Sequence, residues 1–520
     1  MQKREPPFRQ IAAEQREKGL RSISWDSLLF GVICFATLFS RFRTPALLLG
    51  SYQDDFFYYL QVARNIAATG VSTFNGISLT NGYHPLWMAA LVLLYKVLPG
   101  MLFFAGLQAI SVLSALCTYW FALRTLRLYL PGSSARCGAF LLGMEALMLI
   151  RYGMEVTLTV PLGMLLLCML LERSKPPDFP RAAALGLVAS LLILSRLDAG
   201  LLVALLSVAL LLASAWRKPV VLLGFLCGVL PLLILYFAIN EHYFHLLTPV
   251  SGLAKQMKHG YGFSPETWQS LLPTDRMRKI VLLPELLLVL AGFAAMVAGS
   301  FARRRGPRDP LKTQVLRALL LFPVVHLCTL SLLSDWNVWP WYFYSVTLAA
   351  VAAYILIVEA WQGHVPVILF SAYAAILVLY AAVYAWKGPN SVTVFQSSQQ
   401  TAAYMDAHPG VYLMGDQAGT TAYLSHQPVI QTEGLVMDKR FLQLMRAATP
   451  LPQVAAAYQA NYYVKIGGKY RGNCLTLAEP ANAGPGSPMM RGTVCHKPLA
   501  VFYRAADNMP IRIFEAGWIR

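Results

Sequence analysis

Between residues 23 and 386 the chain returns repeatedly to apolar runs near the length of a membrane-spanning helix, which takes about 20 residues. The runs are 23–45, 102–123, 137–153, 156–171, 182–195, 199–215, 219–238, 280–300, 315–334, 340–360 and 366–386. Read as crossings, they make about eleven spans. In hydrocarbon every backbone N–H and C=O must be satisfied without water, and a single run can do that only as a helix. Composition agrees: 57% of residues are hydrophobic and 13% charged, against roughly 25% charged in soluble domains. The expected fold class is an α-helical polytopic membrane protein.

The run 85–98 is too short to cross, at about 14 residues with Pro85 at its start. It reads as an interfacial or re-entrant helix within a first outer loop, 50–101. Charge supports this. If 85–98 stays on one side, Arg124, Arg127 and Arg136, then Arg173, Lys175 and Arg181, then Arg217 and Lys218, then the basic group 303–317 all fall inside. The segment 50–84 then holds only Arg64 on the other side, as the positive-inside rule requires. The tail 1–22 is basic and inside, the membrane part is 23–386, and a later outer loop is 239–279. The net charge of +18 is this topology signal, not a nucleic-acid face.

From 388 to 520 no run is long enough to span, and Gly, Pro, Asn, Gln and Thr rise. "VYLMG", "PVIQ" and "NYYVKIG" read as strands. "DQAGTTAYL" and "DKRFLQLMRAA" read as helices, with Asp416 as N-cap of the first. The alternation predicts a small soluble α/β domain, on the outer side. Cys474 and Cys495 are its only cysteines, and an oxidising compartment favours a disulfide between them. Cys34, Cys117, Cys168, Cys227 and Cys328 sit in apolar runs, where cysteine packs as a small hydrophobe.

Polar residues beside apolar runs are costly and mark function. The conspicuous ones all fall at the outer ends: Asp54, Asp55 and Asn65; "NGYHPLW", with Asn81, Tyr83, His84 and Trp87; "RYGME", Arg151 to Glu155; "SRLD", Ser195 to Asp198; the loop bearing Ser251 and Lys255; and "SDWNVWPWYFY", with Trp341 and Tyr342. Arg41 and Arg43 interrupt the first run near the same surface. Each has a plainer reading. One of Asp54 and Asp55 could serve only helix capping, Glu155 and Asp198 could pair with Arg151 and Arg196, and the aromatics could be an interfacial belt. Their convergence on one face predicts an outward cavity. A carboxylate there can act as general base, cations can hold a phosphate, and grooves between helices can take a lipid tail.

These motifs resemble the bacterial GT-C superfamily of glycosyltransferases, which includes lipid A aminoarabinose transferases, protein O-mannosyltransferases and arabinofuranosyltransferases. The resemblance rests on the acidic pair, "TNGYHPLW", "GME", "SRLD" and "PVSGLAK" in that order, and covers the membrane part and the C-terminal module. It implies a GT-C-like membrane domain with interfacial helices in its first outer loop. It also implies inverting transfer of a sugar from a polyprenyl-phosphate donor to an extracytoplasmic acceptor (glycan, lipid or protein), in a bacterial cytoplasmic membrane. By that resemblance Asp54 or Asp55 is the base, with Asp54 favoured. Arg196, Lys255, Arg151, Arg41 and Arg43 are the candidates for the donor phosphate, Arg196 and Lys255 foremost. His84, Asn81, Tyr83, Trp87, Glu155, Asp198, Ser251, Trp341 and Tyr342 would shape the sugar and acceptor pocket. The adjacent Asp-Asp is not the D-x-D metal motif of nucleotide-sugar enzymes, so no cofactor is required, although a divalent cation is used by some members. A transporter or flippase of a lipid-linked precursor is the alternative. It would place polar groups at the midplane and show repeat symmetry, and the sequence shows neither.

Overall fold

The computed structural model describes residues 25–172, 178–212, 217–258, 260, 262–301, 309–361, 364–388, 391–505 and 507–520. The basic tail 1–22, Arg173, Lys175 and the basic residues 303–308 lie outside these. Each expected apolar run falls on a helix. We number the principal helices α1 (Trp25–Phe39), α2 (Asp54–Thr69), α3 (Pro85–Val97), α4 (Met101–Leu126), α5 (Gly132–Ile150), α6 (Val156–Leu171), α7 (Phe179–Ser195), α8 (Gly200–Leu212), α9 (Pro219–Phe244), α10 (Val250–Lys255), α11 (Leu283–Phe301), α12 (Pro310–Leu333), α13 (Tyr344–Trp361) and α14 (His364–Lys387). Among the described residues eight stretches are long and apolar enough to cross a membrane; α6, α7, α8 and α3 are shorter apolar helices.

Helix α3 spans about 20 Å at 1.5 Å per residue, short of the roughly 30 Å hydrocarbon layer. Helix α2 ends as its sequence dictates: Gly70 takes φ 77°, and its N–H caps the Ile66 carbonyl. Helices α7 and α9 touch backbone to backbone. A Cβ at Gly186 would lie 2.2 Å from the Phe225 carbonyl oxygen, and one at Gly228 2.1 Å from that of Ala183. Small residues bring membrane helices this close. Helix α13 is the buried centre of the bundle, with nearly every residue out of contact with solvent.

The C-terminal module opens with a helix the sequence reading did not expect, α15 (Ser391–Ala407), and continues with α16 (Ala418–Leu424), α17 (Lys439–Arg446) and α18 (Leu451–Ala457). Its strands are β1 (Tyr412–Met414), β2 (Val429–Gln431), β3 (Tyr462–Ile466), β4 (Tyr470–Arg471), β5 (Cys474–Glu479), β6 (Met490–Val494), β7 (Ala500–Arg504) and β8 (Met509–Glu515). A five-stranded sheet runs β2-β1-β3-β8-β7, with β1 parallel to β2 and β3 and β8 antiparallel to β3 and β7. β4-β5-β6 form a separate antiparallel sheet. Cys474 and Cys495 are joined as a disulfide. Asp416 does not cap α16. Gln417 flanks that helix in the left-handed region (φ 58°), and Asp416 accepts only the Gln417 N–H, at 3.1 Å.

Candidate active site

Asp54 and Asp55 open α2 but face different partners. The Asp54 carboxylate accepts from Gly419 N–H (3.0 Å), Thr420 N–H (2.7 Å) and the Thr420 hydroxyl (2.7 Å). It is a docking point for α16, and a Cβ at Gly419 would lie 2.4 Å from the Asp54 carbonyl oxygen. Three donors thus occupy the oxygens of Asp54, the acid favoured as base from the sequence. Asp55 makes no hydrogen bond to the described residues and lines a cavity of about 270 Å³. Burial raises its carboxyl above the ordinary range, with Lys255 acting the other way.

Lys255, the last residue of α10, lines the same cavity. Its Nζ donates to the Tyr342 hydroxyl at 3.2 Å and lies over the rings of Tyr342 (5.5 Å) and Trp336 (5.8 Å). No carboxylate among the described residues pairs with it, so its charge is free for a ligand. Trp336, Trp339 and Trp341 form an aromatic wall, while Asp416, Gln417, Glu433, Asn482 and Arg504 close the cavity from the module. Burial pushes the Asp416 carboxyl up to about 6 and Glu433 well above its usual range, neighbouring acids adding to both.

Arg196 is not free. Its guanidinium pairs with Glu155 and with Asp198 (2.9 Å), and all three charges lie together with Arg196 only 1% exposed. Asp198 also accepts from the Tyr344 hydroxyl (3.0 Å) and contacts His326 Nε2 (3.0 Å). Arg196, expected from the sequence to meet the donor phosphate, is thus already paired with two carboxylates. The cluster supports the cavity from below, since the Tyr342 ring lies 4.2 Å from the Arg196 guanidinium. His84 Nδ1 accepts the Leu197 N–H (3.3 Å), and its Nε2 sits 3.9 Å from Glu155. Burial lowers its pKa, and the Leu197 N–H at Nδ1 places the proton of the neutral ring on Nε2.

The other expected cations separate. Arg43 is exposed and donates to the carbonyls of Ala385 and Trp386 at the end of α14. Arg41 and Arg151 are buried side by side among tyrosines, away from the cavity lining. Arg151 meets neither Glu155 nor Asp198. Asn81 is a strut, linking Asn240 (2.7 Å) to the Val250 N–H (2.9 Å) and so fixing α10. Tyr83 bonds Ser72 (2.8 Å), Trp87 is fully buried and donates to the Gly153 carbonyl (3.1 Å), and Ser251 lies on α10 outside the cavity lining. Of the expected pocket residues only Trp341 lines the cavity, and Tyr342 supports it. The sequence reading missed His326, buried in the apolar run of α12, and the module residues Gln417, Glu433 and Asn482. A lone histidine in a spanning run was the one available signal. Among the described residues no group of three or more His, Cys, Asp or Glu is placed to hold a metal ion.

No protein-family profile matches the chain, and no curated protein sequence matches it. Solved structures do. The archaeal oligosaccharyltransferase AglB from Archaeoglobus fulgidus, in complex with an inhibitory peptide and a dolichol-phosphate, is 11% identical over 85% of this chain and 70% of its own, with TM-score 0.51. The A. fulgidus oligosaccharyltransferase tethered to an acceptor peptide is 11% identical over 85% and 68%, with TM-score 0.50. ArnT from Cupriavidus metallidurans, bound to undecaprenyl phosphate, aligns over 94% of this chain and 97% of its own at 13% identity, with TM-score 0.48. At these identities the likeness is one of fold, and this chain shares the fold of the A. fulgidus oligosaccharyltransferase.

Proposed function

We propose that the protein is an integral-membrane inverting glycosyltransferase. It moves a sugar from a polyprenyl-phosphate donor to a hydroxyl-bearing acceptor on the side of the C-terminal module. The observation that carries this is that Asp55 and Lys255, from separate segments of the chain, both line one aromatic-walled cavity. Asp55, its basicity raised by burial, takes the acceptor hydroxyl proton. The acceptor oxygen then attacks the anomeric carbon as the bond to the phosphate oxygen breaks. The phosphate leaves with that electron pair, its charge met by Lys255. A single displacement inverts the anomeric centre. The excess of Lys and Arg in the alternate connections supports an inside N-terminus, eleven crossings and an extracytoplasmic module.

The test is turnover of a panel of synthetic polyprenyl-phosphate sugars by purified protein, beside Asp55→Asn. Loss of about 10²–10⁴ in rate is expected for removal of a general base. Full turnover by Asp55→Asn would overturn the assignment.

A further inference from the structure

We propose that Arg41 and Arg151 form a second anion site that holds one phosphate group of a membrane lipid, apart from the Lys255 cavity. The proposal stands whether or not the transfer reaction does. Arg41 is 2% exposed and Arg151 3%. Among the described residues neither meets a carboxylate. Arg41 Nη2 donates to the Arg151 carbonyl (2.7 Å) and Arg151 Nε to the Met148 carbonyl (3.1 Å). Arg151 Nη2 reaches the hydroxyls of Tyr152 (3.5 Å) and Tyr380 (3.3 Å). Arg41 Nε and Nη1 and Arg151 Nη1 are buried with no hydrogen-bond partner among the described residues.

The two cations share a ring. Tyr384 lies 5.7 Å from the Arg41 guanidinium and 4.2 Å from that of Arg151. Tyr52 adds to Arg41 (5.3 Å), and Tyr152 and Tyr380 to Arg151 (5.2 Å each). Ring faces offset only part of the cost of burying a charge, and the two guanidiniums repel each other. A bound anion removes both penalties at once. Phosphate fits because its oxygens match converging guanidinium forks, and because the hydroxyls of Tyr152 and Tyr380, already accepting from Arg151, keep their protons to donate.

Position selects a lipid. Arg41 lies on the turn after α1, Arg151 at the end of α5, and Tyr380 and Tyr384 in the last turns of α14. These ends share the side of the module, since a Cβ at Gly50 would meet Val392 of α15 at 2.7 Å. Headgroups lie at that depth. The site is behind the cavity and not in it: Tyr52 and Trp341 line the cavity, the Tyr152 ring sits 5.9 Å from that of Trp341, and neither arginine reaches the lining.

The experiment is thermal unfolding of the full chain, delipidated in detergent, with phosphatidylglycerol or inorganic phosphate added, neither of which carries the polyprenyl chain of the proposed donor. A saturable rise in Tm is expected in the wild type and equally in Lys255→Met, and none in Arg41→Gln or Arg151→Gln. Without ligand, Arg151→Gln should melt at or above the wild type, because an uncompensated buried charge has been removed. That sign separates loss of a site from damage to the fold. Arg151→Lys, which keeps the charge and loses the fork, should show a smaller shift. Protection by phosphatidylglycerol alone identifies a headgroup, and equal protection by inorganic phosphate identifies a free anion. No rise with either, an equal rise in Arg151→Gln, or abolition by Lys255→Met would overturn the second site.

Discussion

Thr420 grips the carboxylate of Asp54 twice, through its backbone N–H and its hydroxyl, each at 2.7 Å. The next residue, Asp55, is turned by about 100° around the helix axis and lines the cavity with Lys255. The adjacent acids therefore divide two tasks. One holds the C-terminal module against the first loop, and the other faces the cavity.

Replacing Asp54 with Ala should loosen the module. It strands the Gly419 and Thr420 N–H groups in a partly buried contact, at about 1–3 kcal/mol each when left unsatisfied. A lower Tm and faster proteolysis between the module and the bundle are expected, with transfer reduced through the distorted cavity. Wild-type stability in Asp54→Ala would show that the contact does not hold the module.

The pH dependence of transfer should report Asp55. A base works ionised, and burial has moved its pKa upward, so the rate should fall as pH drops through that raised value. Lys255 pulls the same pKa down. Lys255→Met should therefore displace the acid limb to higher pH as well as slow the reaction. An unshifted limb in that variant would separate the two residues electrostatically. The rate against pH for both proteins checks this.

Much of the bundle was legible because hydrocarbon forces a simple rule onto sequence: a long apolar run is a helix, and 85–98 was visibly too short. The polar residues at helix ends were legible for the same reason, since Asp55, Lys255, Glu155, Asp198 and Trp341 stand out against apolar neighbours. What sequence could not divide was their work. Arg196 and Arg151 look alike in "SRLD" and "RYGME", yet one is neutralised by Glu155 and Asp198 and the other meets no acid among the described residues. That depends on which helix ends meet, and no local pattern encodes it. Asp54 and Asp55 were indistinguishable until α16, some 365 residues later, covered one of them. Helix α15 was missed because it is polar and continues a spanning run with little break.

Asp416 should make stability depend on pH. Its folded pKa is about 6, above the ordinary value near 3.9, so folding favours the protonated form. The contribution is fully present below about pH 4 and is lost as pH rises through 6. Asp416→Asn should accordingly raise Tm at pH 8 more than at pH 5. Equal effects at the two values would place the carboxyl in ordinary solvent.

Glu155 tests the cluster beneath the cavity. It shares Arg196 with Asp198 and accepts the Tyr59 hydroxyl at 3.3 Å. Removing one partner of a buried ion pair costs about 3–5 kcal/mol, and Asp198 remains to offset part of it, so Glu155→Ala should destabilise by about 3 kcal/mol. The effect should also reach the donor. Arg196 supports the Tyr342 ring, and the Tyr342 hydroxyl receives the Lys255 Nζ. A loosened Arg196 should thus raise KM for the polyprenyl-phosphate sugar more than it lowers kcat. A fall in kcat with KM unchanged would instead put Glu155 against the reacting atoms, and steady-state kinetics of the folded variant decides between them.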